Sequence, residues 1–289
     1  MGRREKVLEA ELRKRFDASS AQVSSGQIRM AQEIASLYES AGVLDGLETP
    51  PLHRSCNRHC ECWKNASNRK PNDARAGIGL PWIGRKYESH RIAIAGINTP
   101  VRESGDPEFG GLLAQWEIYE SDELGTARRY KDSDFAYAVS AYVHVLNGGS
   151  PEDVRQSRLT PSKTAEYWAG CALLELVKCS PVGDRSAPTE EMWNVCLGEF
   201  LVGELAVLQP RVLLVLGLSK SSERVSLLRE VGGWDRFDRR KGLHTGTIKV
   251  DGHATSVVCV YHPGFYGWRG SLDPLAEYAI AAAQGRTSR

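Results

Sequence analysis

The stretch RIAIAGI at residues 91–97 is a short apolar run that closes on a glycine, a pattern typical of a buried parallel strand. Three further runs have the same character: CALLELV at 171–177, RVLLVLG at 211–217 and TSVVCVYHP at 255–263. Helical periodicity lies between and after them, near residues 132–146, 188–208, 219–231 and 273–284. Alternating strands and helices predict an α/β fold with a parallel sheet.

The N-terminal part of the chain has a different character. Residues 4–17 and 26–42 show amphipathic helical periodicity, and we expect an N-terminal helical extension over residues 1–45. The rest of the chain, residues 46–289, is expected to form one domain. Its first part, residues 46–80, is rich in Pro, Asn, Arg and Cys and has no period. Because such segments are uncommon inside compact domains, a bound metal is expected to hold this one.

Composition narrows the class of protein. The 289 residues carry 37 Lys and Arg against 36 Asp and Glu, and 41% are hydrophobic, which excludes wholesale disorder, a collagen-like chain and a coiled-coil rod. No apolar run reaches the roughly 18 residues that span a bilayer, and the first residues lack the apolar core of a secretory signal. We therefore expect a cytoplasmic protein with no membrane partner. The near-neutral charge leaves room for a local basic groove.

Ligands of parallel sheets bind outside the carboxyl ends of the strands, so the residues that follow each strand are candidates for function. Asn98 follows the first strand; an asparagine there can orient a water molecule, although it is also an ordinary turn residue. His262 follows the fourth strand and leads into HPGFYGWR, which ends at Arg269. Aromatic side chains beside an arginine suit stacking on nucleic-acid bases or wedging between them.

Six segments resemble, in order and spacing, motifs of the uracil-DNA glycosylase superfamily, above all of its iron–sulfur branch: GINTP (96–100), GDPEFGG (105–111), KCSPVGDRSAPTEE (178–191), Cys196, PRVLLVLG (210–217) and HPG (262–264). The resemblance covers roughly residues 55–284. It implies three layers, α/β/α, around a central four-stranded parallel sheet. It also implies a monomeric enzyme that flips a base out of DNA and hydrolyses its N-glycosidic bond.

The resemblance assigns roles to individual residues. Asn98 would hold the attacking water, and His262 would donate to O2 of the departing base. Phe109 would stack on the flipped base, beside Gly96 and Ile97. The expected DNA-contacting residues are Arg185, Ser186, Gly264, Phe265, Tyr266 and Arg269, with Tyr266, Trp268 or Phe265 filling the gap in the duplex and the basic stretch Arg236, Arg239, Arg240 and Lys241 at phosphates. No lysine stands out as a Schiff-base nucleophile, so an abasic site is the expected product.

Seven cysteines are present, and in a reduced compartment clustered cysteines are more often metal ligands than disulfides. The resemblance places a [4Fe–4S] cluster, or alternatively zinc, on four of five cysteines: Cys56, Cys60, Cys62, Cys179 and Cys196. Cys62 is favoured in the N-terminal group, with Cys56 or Cys60 as its companion. Cys171 and Cys259 lie within predicted strands and are expected in the core.

Glu175 is the most informative departure from the family, because it stands where the family has the asparagine that reads uracil. An ionised carboxylate only accepts hydrogen bonds, so it would repel uracil O4 and suit the N4 amine of a cytosine. Unmodified cytosine is excluded as the substrate, because its excision would destroy host DNA. The expected substrates are therefore the hydroxymethylated or glucosylated cytosines of phage genomes, which implies a role in antiviral defence.

Three alternatives stay open at this point. In the first alternative, Glu175 makes a structural contact instead of reading a base. In the second alternative, a protonated Glu175 in a dry pocket donates to uracil O4, and the chain is a uracil-DNA glycosylase of base-excision repair. In the third alternative, the chain is a non-catalytic protein that binds DNA lesions. The absence of a carboxylate from the first motif, GINTP (96–100), favours this alternative.

Overall fold

The computed structural model describes residues 24–40, 81–97, 134–178, 188–218, 224–225, 234–264 and 266–284. The first half of these residues forms α1 (Ser25–Ser40), β1 (Trp82–Ile83), α2 (Tyr87–His90), β2 (Ile92–Gly96), α3 (Asp134–Leu146), α4 (Pro151–Arg155), α5 (Pro161–Ala169) and β3 (Cys171–Glu175). The second half forms α6 (Glu190–Val195), a π-helical segment (Cys196–Leu201), α7 (Val202–Leu208), β4 (Val212–Leu216), β5 (Trp234–Arg240), β6 (Leu243–Val250), β7 (His253–Val260), a 3-10 turn (Trp268–Ser271) and α8 (Leu272–Ala283).

The centre of the molecule is a sheet in which the strands lie in the order β1-β3-β2-β4-β7-β6-β5. The four strands β3, β2, β4 and β7 are parallel, with Ile92 beside Cys171 on one side and Val212 on the other. These are the four apolar runs of the sequence. The predictions of an α/β fold and of a parallel sheet built from those runs are confirmed.

The prediction that the sheet has four strands is wrong, because three antiparallel strands extend it. β1 pairs with β3, and β6 and β5 continue the sheet beyond β7. β6 is only partly buried, so it lacks the continuous apolar character of a buried parallel strand. Asp251 and Gly252, both at positive φ, form the tight turn between β6 and β7. An Asp-Gly pair at a two-residue turn is a hairpin signal, and the sequence contained it.

Helices cover both faces of the sheet, because side chains of successive strand residues point to opposite faces. Ala93 and Ala95 belong to a hydrophobic cluster that also contains side chains of α1, α6, the π-helical segment and α7. Ile92 and Ile94 belong to a second cluster, formed with α3, α4, α8 and neighbouring residues. The described residues therefore form a helical layer on each side of the sheet.

The predicted helices correspond to observed ones with small shifts at the ends. Residues 26–42, 132–146 and 273–284 correspond to α1, α3 and α8, and residues 188–208 correspond to α6, the π-helical segment and α7. Residues 4–17 lie outside the described part of the chain, as do residues 219–231 except for 224–225. None of the described helices is long and apolar enough to cross a bilayer.

Helix α1, predicted as part of an N-terminal extension, packs into the first hydrophobic cluster. Met30, Ile34 and Tyr38 are buried there, and the Tyr38 ring lies edge-on to Phe200 with 5.1 Å between centroids. The predicted boundary between residues 45 and 46 lies outside the described residues. α1 is therefore continuous with the core on one face of the sheet.

Two of the predicted cysteine assignments fall on strands of the parallel sheet. Cys171 in β3 and Cys259 in β7 are buried, and burial raises the pKa of both thiols. The prediction that these two cysteines are core residues is confirmed.

Candidate functional site

The carboxyl ends of the parallel strands bring several predicted site residues to one edge of the sheet. Gly96 ends β2, Glu175 ends β3, and His262 follows β7 by two residues. Because β2 and β4 separate β3 from β7, Glu175 and His262 lie on either side of the ends of two strands. This edge is the place where parallel sheets bind ligands.

The other predicted residues divide into two groups. Ile97, Gly264, Tyr266, Arg269 and Cys196 are described. Nine predicted residues lie outside the described part of the chain: Asn98, Phe109, Arg185, Ser186, Phe265, Cys56, Cys60, Cys62 and Cys179.

Glu175 and Gly96 are paired across β3 and β2 at the edge. A Cβ atom placed on Gly96 would lie 3.1 Å from Glu175 Oε2, so the carboxylate occupies the space that the glycine leaves open. The backbone pairing continues past the two strands, since Leu176 N–H donates to Gly96 O and Val177 N–H donates to Ile97 O, each at 2.8 Å. The end of β3 is therefore held rigidly against the residue that precedes Asn98.

A buried polar network that the sequence analysis missed lies behind Glu175; it consists of Lys178, Glu204 and Tyr38. The Lys178 ammonium donates to the backbone carbonyl of Glu175 and lies 2.6 Å from Glu204 Oε2. The Tyr38 hydroxyl donates to the other oxygen of Glu204. The signal was Glu204 itself, a charged residue within the apolar pattern of residues 188–208.

Burial governs the proton affinities in the buried network. It raises the pKa of Glu204, which the Lys178 ammonium opposes. It raises the pKa of Tyr38 well above its usual value, and the neighbouring Glu204 carboxylate adds to this effect. The tyrosine therefore stays protonated and can act as the donor in its hydrogen bond to Glu204.

Cys196 is the predicted metal ligand that the structure describes. It is buried, and its Sγ accepts a hydrogen bond from the backbone N–H of Lys178 at 3.4 Å. Cys179 lies outside the described residues. Backbone N–H donors to sulfur are typical of iron–sulfur sites, so the surroundings of Cys196 fit a thiolate ligand. The described residues include no group of three metal-binding side chains.

His262 is held in one orientation by its own loop. Its Nδ1 lies 3.0 Å from the backbone N–H of Gly264, a donor, so the neutral imidazole carries its proton on Nε2. Burial lowers the pKa of His262, which favours this neutral form. A Cβ atom on Gly264 would lie 3.2 Å from Nδ1, so a side chain there would crowd the ring.

The loop that follows β7 is tied down at both ends by two residues that the sequence analysis missed. The Tyr142 hydroxyl lies 2.8 Å from Tyr261 O and 2.9 Å from Trp268 O. Ser271 Oγ accepts from Tyr261 N–H at 2.9 Å and donates to Gly242 O at 2.6 Å. His262 directly follows the anchored Tyr261, so its backbone is held in place at the end of β7.

Two aromatic residues of the loop have opposite exposures. Tyr266 is fully exposed, so its ring is accessible to a ligand. Trp268 is only 4% exposed and packs edge-on against Tyr142 with 5.7 Å between centroids, so the prediction that it can fill that gap is wrong. Its ring instead supports Arg269, whose guanidinium lies 4.8 Å from the ring centroid.

Part of the predicted basic stretch reaches the same edge. Arg240 ends β5 and pairs with Leu243, which pairs in turn with Val260 at the end of β7. Arg240 and Lys241 are exposed. Two cationic side chains therefore lie at the edge that holds His262, with Arg269 on the adjoining loop.

The edge thus combines a carboxylate, a neutral imidazole, an exposed tyrosine and three exposed cationic residues. It can accept and donate hydrogen bonds to a polar ligand and attract an anionic one. No protein-family model matches this sequence. No curated protein matches it either.

Proposed function

We propose that this chain is a monofunctional DNA glycosylase with the α/β/α fold of the uracil-DNA glycosylase superfamily. It acts as a cytoplasmic monomer, flips a modified cytosine out of DNA and hydrolyses its N-glycosidic bond, in defence against phage. The observation that carries the proposal is the position of the Glu175 carboxylate, at the carboxyl edge of the sheet over Gly96.

Base selection is the task of Glu175. Its Oε2 atom is shielded from water, and a carboxylate there accepts hydrogen bonds from an amine. The N4 amine of cytosine is such a donor, whereas uracil presents O4 at the same place. A modification at C5 of the base distinguishes the target from host cytosine.

Bond cleavage is divided between the ends of two strands. Asn98 holds the attacking water. It follows Ile97, whose carbonyl accepts a hydrogen bond from Val177 N–H. The departing base carries negative charge on O2, and the Nε2 proton of His262 donates to it. Phe109 stacks on the flipped base. The neutral imidazole matches this role, because its Nδ1 accepts from Gly264 N–H and its Nε2 carries the proton that donates.

The buried lysine that follows β3 by three residues supports a monofunctional reaction. Lys178 is buried, and its ammonium is engaged by Glu204 and the Glu175 carbonyl. An amine in that state cannot attack the sugar carbon to form a Schiff base. The product is therefore an abasic site.

DNA binding uses the loop after β7 and its surroundings. Tyr266 enters the stack in place of the flipped nucleotide, at the cost of unstacking one step. Arg269, Arg240 and Lys241 contact phosphates, and Arg185 and Ser186 add further contacts. The support for this part is the exposure of Tyr266 and of the three cationic residues.

A [4Fe–4S] cluster is proposed on Cys179, Cys196 and two of the cysteines Cys56, Cys60 and Cys62, with zinc as the alternative. The metal group would supply a structural cross-link between distant parts of the chain. The N–H donor from Lys178 to Cys196 supports the site. Iron, sulfide and zinc analysis of anaerobically purified protein separates the two metals.

The test of the proposed function is an abasic-site assay, in which alkali cleaves labelled DNA wherever a base has been removed. We expect cleavage of DNA that carries hydroxymethylated or glucosylated cytosine and none of matched plain-cytosine DNA. Cleavage of uracil-containing DNA alone would make the chain a repair enzyme. Binding without cleavage of any substrate would make it a lesion-binding protein. Asn98→Ala should abolish turnover while binding is retained.

Replacing Glu175 by glutamine should change the preferred base. The amide supplies an N–H donor that suits O4 of uracil, so the kcat/KM ratio of modified cytosine to uracil should fall by about 10–100-fold, since one base-edge contact contributes about 1–3 kcal/mol. Glu166→Gln, at an exposed glutamate paired with Lys86, is the matched control. An unchanged ratio in Glu175→Gln would mean that Glu175 makes only a structural contact.

A further inference from the structure

The buried network of Tyr38, Glu204 and Lys178 has no part in the reaction as described, yet it lies directly behind the base-reading residue. The side chains of Lys178 and Glu204 are 1% and 0% exposed, and Tyr38 is buried to the same degree. Taking two charges out of water costs free energy that their attraction offsets only with good geometry. Apolar residues would fill the same space without this cost, which suggests a task for the polar ones.

Lys178 connects the end of β3, the π-helical segment, α7 and α1 through its ammonium and its backbone N–H. Its ammonium holds the carbonyl of Glu175, the last residue of β3. Its backbone N–H donates to Cys196 in the π-helical segment. Through Glu204 its ammonium is connected to α7 and, by the Tyr38 hydroxyl, to α1. Lys178 thus links the end of β3, directly or through Glu204, to two helices and a cysteine.

The peptide group between Glu175 and Leu176 is the part that this arrangement fixes. Its carbonyl is bound by the Lys178 ammonium, and its N–H is bound by Gly96 O. With both polar groups of the peptide held, the Cα–Cβ bond of Glu175 has one direction. The carboxylate can then face a bound base without searching among backbone conformations.

We propose that the buried network positions Glu175, so that α1 is a specificity-determining element of the enzyme through the Tyr38 hydroxyl. The inference rests on the proposed function, because it concerns the same base-reading carboxylate. Tyr38, Glu204 and Lys178 are positioning residues that act through Glu175. Catalytic groups lose much of their effect when displaced by as little as 1 Å, so a slight loosening of this peptide is enough to weaken base selection.

The test compares two tyrosine-to-phenylalanine variants in the same hydrophobic cluster. Tyr38→Phe removes the hydroxyl and keeps the ring against Phe200. Tyr87→Phe is the matched control: Tyr87 is equally buried, and its hydroxyl donates to Leu208 O near the amino end of β2. We expect Tyr38→Phe to reduce the kcat/KM ratio of modified cytosine to uracil by roughly 10-fold, and Tyr87→Phe to leave it unchanged.

A second measurement does not depend on activity. Hydrogen exchange of the full-length protein reports the protection of the amides of Leu176, Val177 and Lys178. We expect faster exchange of these amides in Tyr38→Phe, and protection equal to the parent protein in Tyr87→Phe. If the Tyr38 hydroxyl had only a structural role, Tyr38→Phe would lower the melting temperature in the same way as Tyr87→Phe does. The amides of Leu176, Val177 and Lys178 would then stay protected in both variants.

The outcomes separate the two proposals. If the parent protein cleaves none of the substrates, the proposed function fails, and the exchange measurement alone decides whether the buried network holds the end of β3. If the parent protein is active and the two variants have the same base ratio and the same exchange, the positioning inference is overturned and the proposed function stands.

Discussion

Replacement of His262 by alanine is expected to lower kcat for base excision by about 10²–10³-fold, the effect of removing one donor from a developing anion. The Nδ1 atom of His262 accepts from Gly264 N–H, so the lost group is the Nε2 donor. Single-turnover cleavage of modified-cytosine DNA measures the change, and DNA binding should stay close to that of the parent. His262→Gln, whose amide N–H can donate, should recover part of the rate.

His253→Ala is the matched control for that prediction. His253 begins β7 at the opposite edge of the sheet, where its Nε2 lies 3.0 Å from Pro210 O. Its loss should cost about 1 kcal/mol of stability and leave kcat unchanged. Equal rates in His262→Ala and the parent protein would remove His262 from the mechanism.

The pH profile gives a further check on the same residue. Burial lowers the pKa of His262, so the parent should keep its activity below the usual histidine value of about 6.5. At lower pH the second proton goes to Nδ1, which then faces the Gly264 N–H donor and disrupts the loop. The kcat/KM of the parent should therefore fall on the acid side, and His262→Ala should lack that acid limb.

Replacement of Glu204 by alanine is expected to lower the free energy of unfolding by about 3–5 kcal/mol, because it leaves the Lys178 ammonium buried without its partner. The Tyr38 hydroxyl loses its acceptor in the same variant. Urea unfolding followed by circular dichroism measures the loss. Glu33→Ala, at an exposed glutamate of α1 near Arg29, is the control and should change stability little.

A double variant separates charge from packing. Lys178→Met combined with Glu204→Leu replaces the ion pair by apolar side chains, which often restores the stability that either single change removes. We expect the double variant to unfold at a higher urea concentration than Glu204→Ala. Its base selection should stay impaired, because the bond to the Glu175 carbonyl is gone. Full stability of Glu204→Ala would contradict the assignment of a buried ion pair.

The parallel part of the sheet was predictable because each of its strands is buried on both faces. Four apolar runs ending at or near residues 97, 177, 217 and 263 therefore stand out from the polar segments between them. β5 and β6 were not recognised, since β6 is partly solvated and β5 carries the charges of the basic stretch. Local patterns identify two-sided burial more readily than pairing at the edge of a sheet.

The candidate site was predictable to the extent that strand ends indicate it. Glu175 and His262 each follow from reading the residue at or just after a strand, and the structure places both at one edge. The buried residues that hold Glu175 in place could not be predicted from the ends of strands. Tyr38 is more than 160 residues away from Glu204 along the chain, and nothing local connects them.

The sequence by itself determined the α/β class, the four parallel strands and the edge to which Glu175 and His262 belong. Strand burial and strand direction are local properties, and periodicity and composition express them. Only the tertiary structure decided that α1 reaches Lys178 through Glu204, that Gly264 orients His262, and that Trp268 is buried while Tyr266 is exposed. These features depend on contacts between residues that are distant in the chain, or on the path of a loop. Local sequence patterns do not show such contacts, because they form only when the whole chain folds.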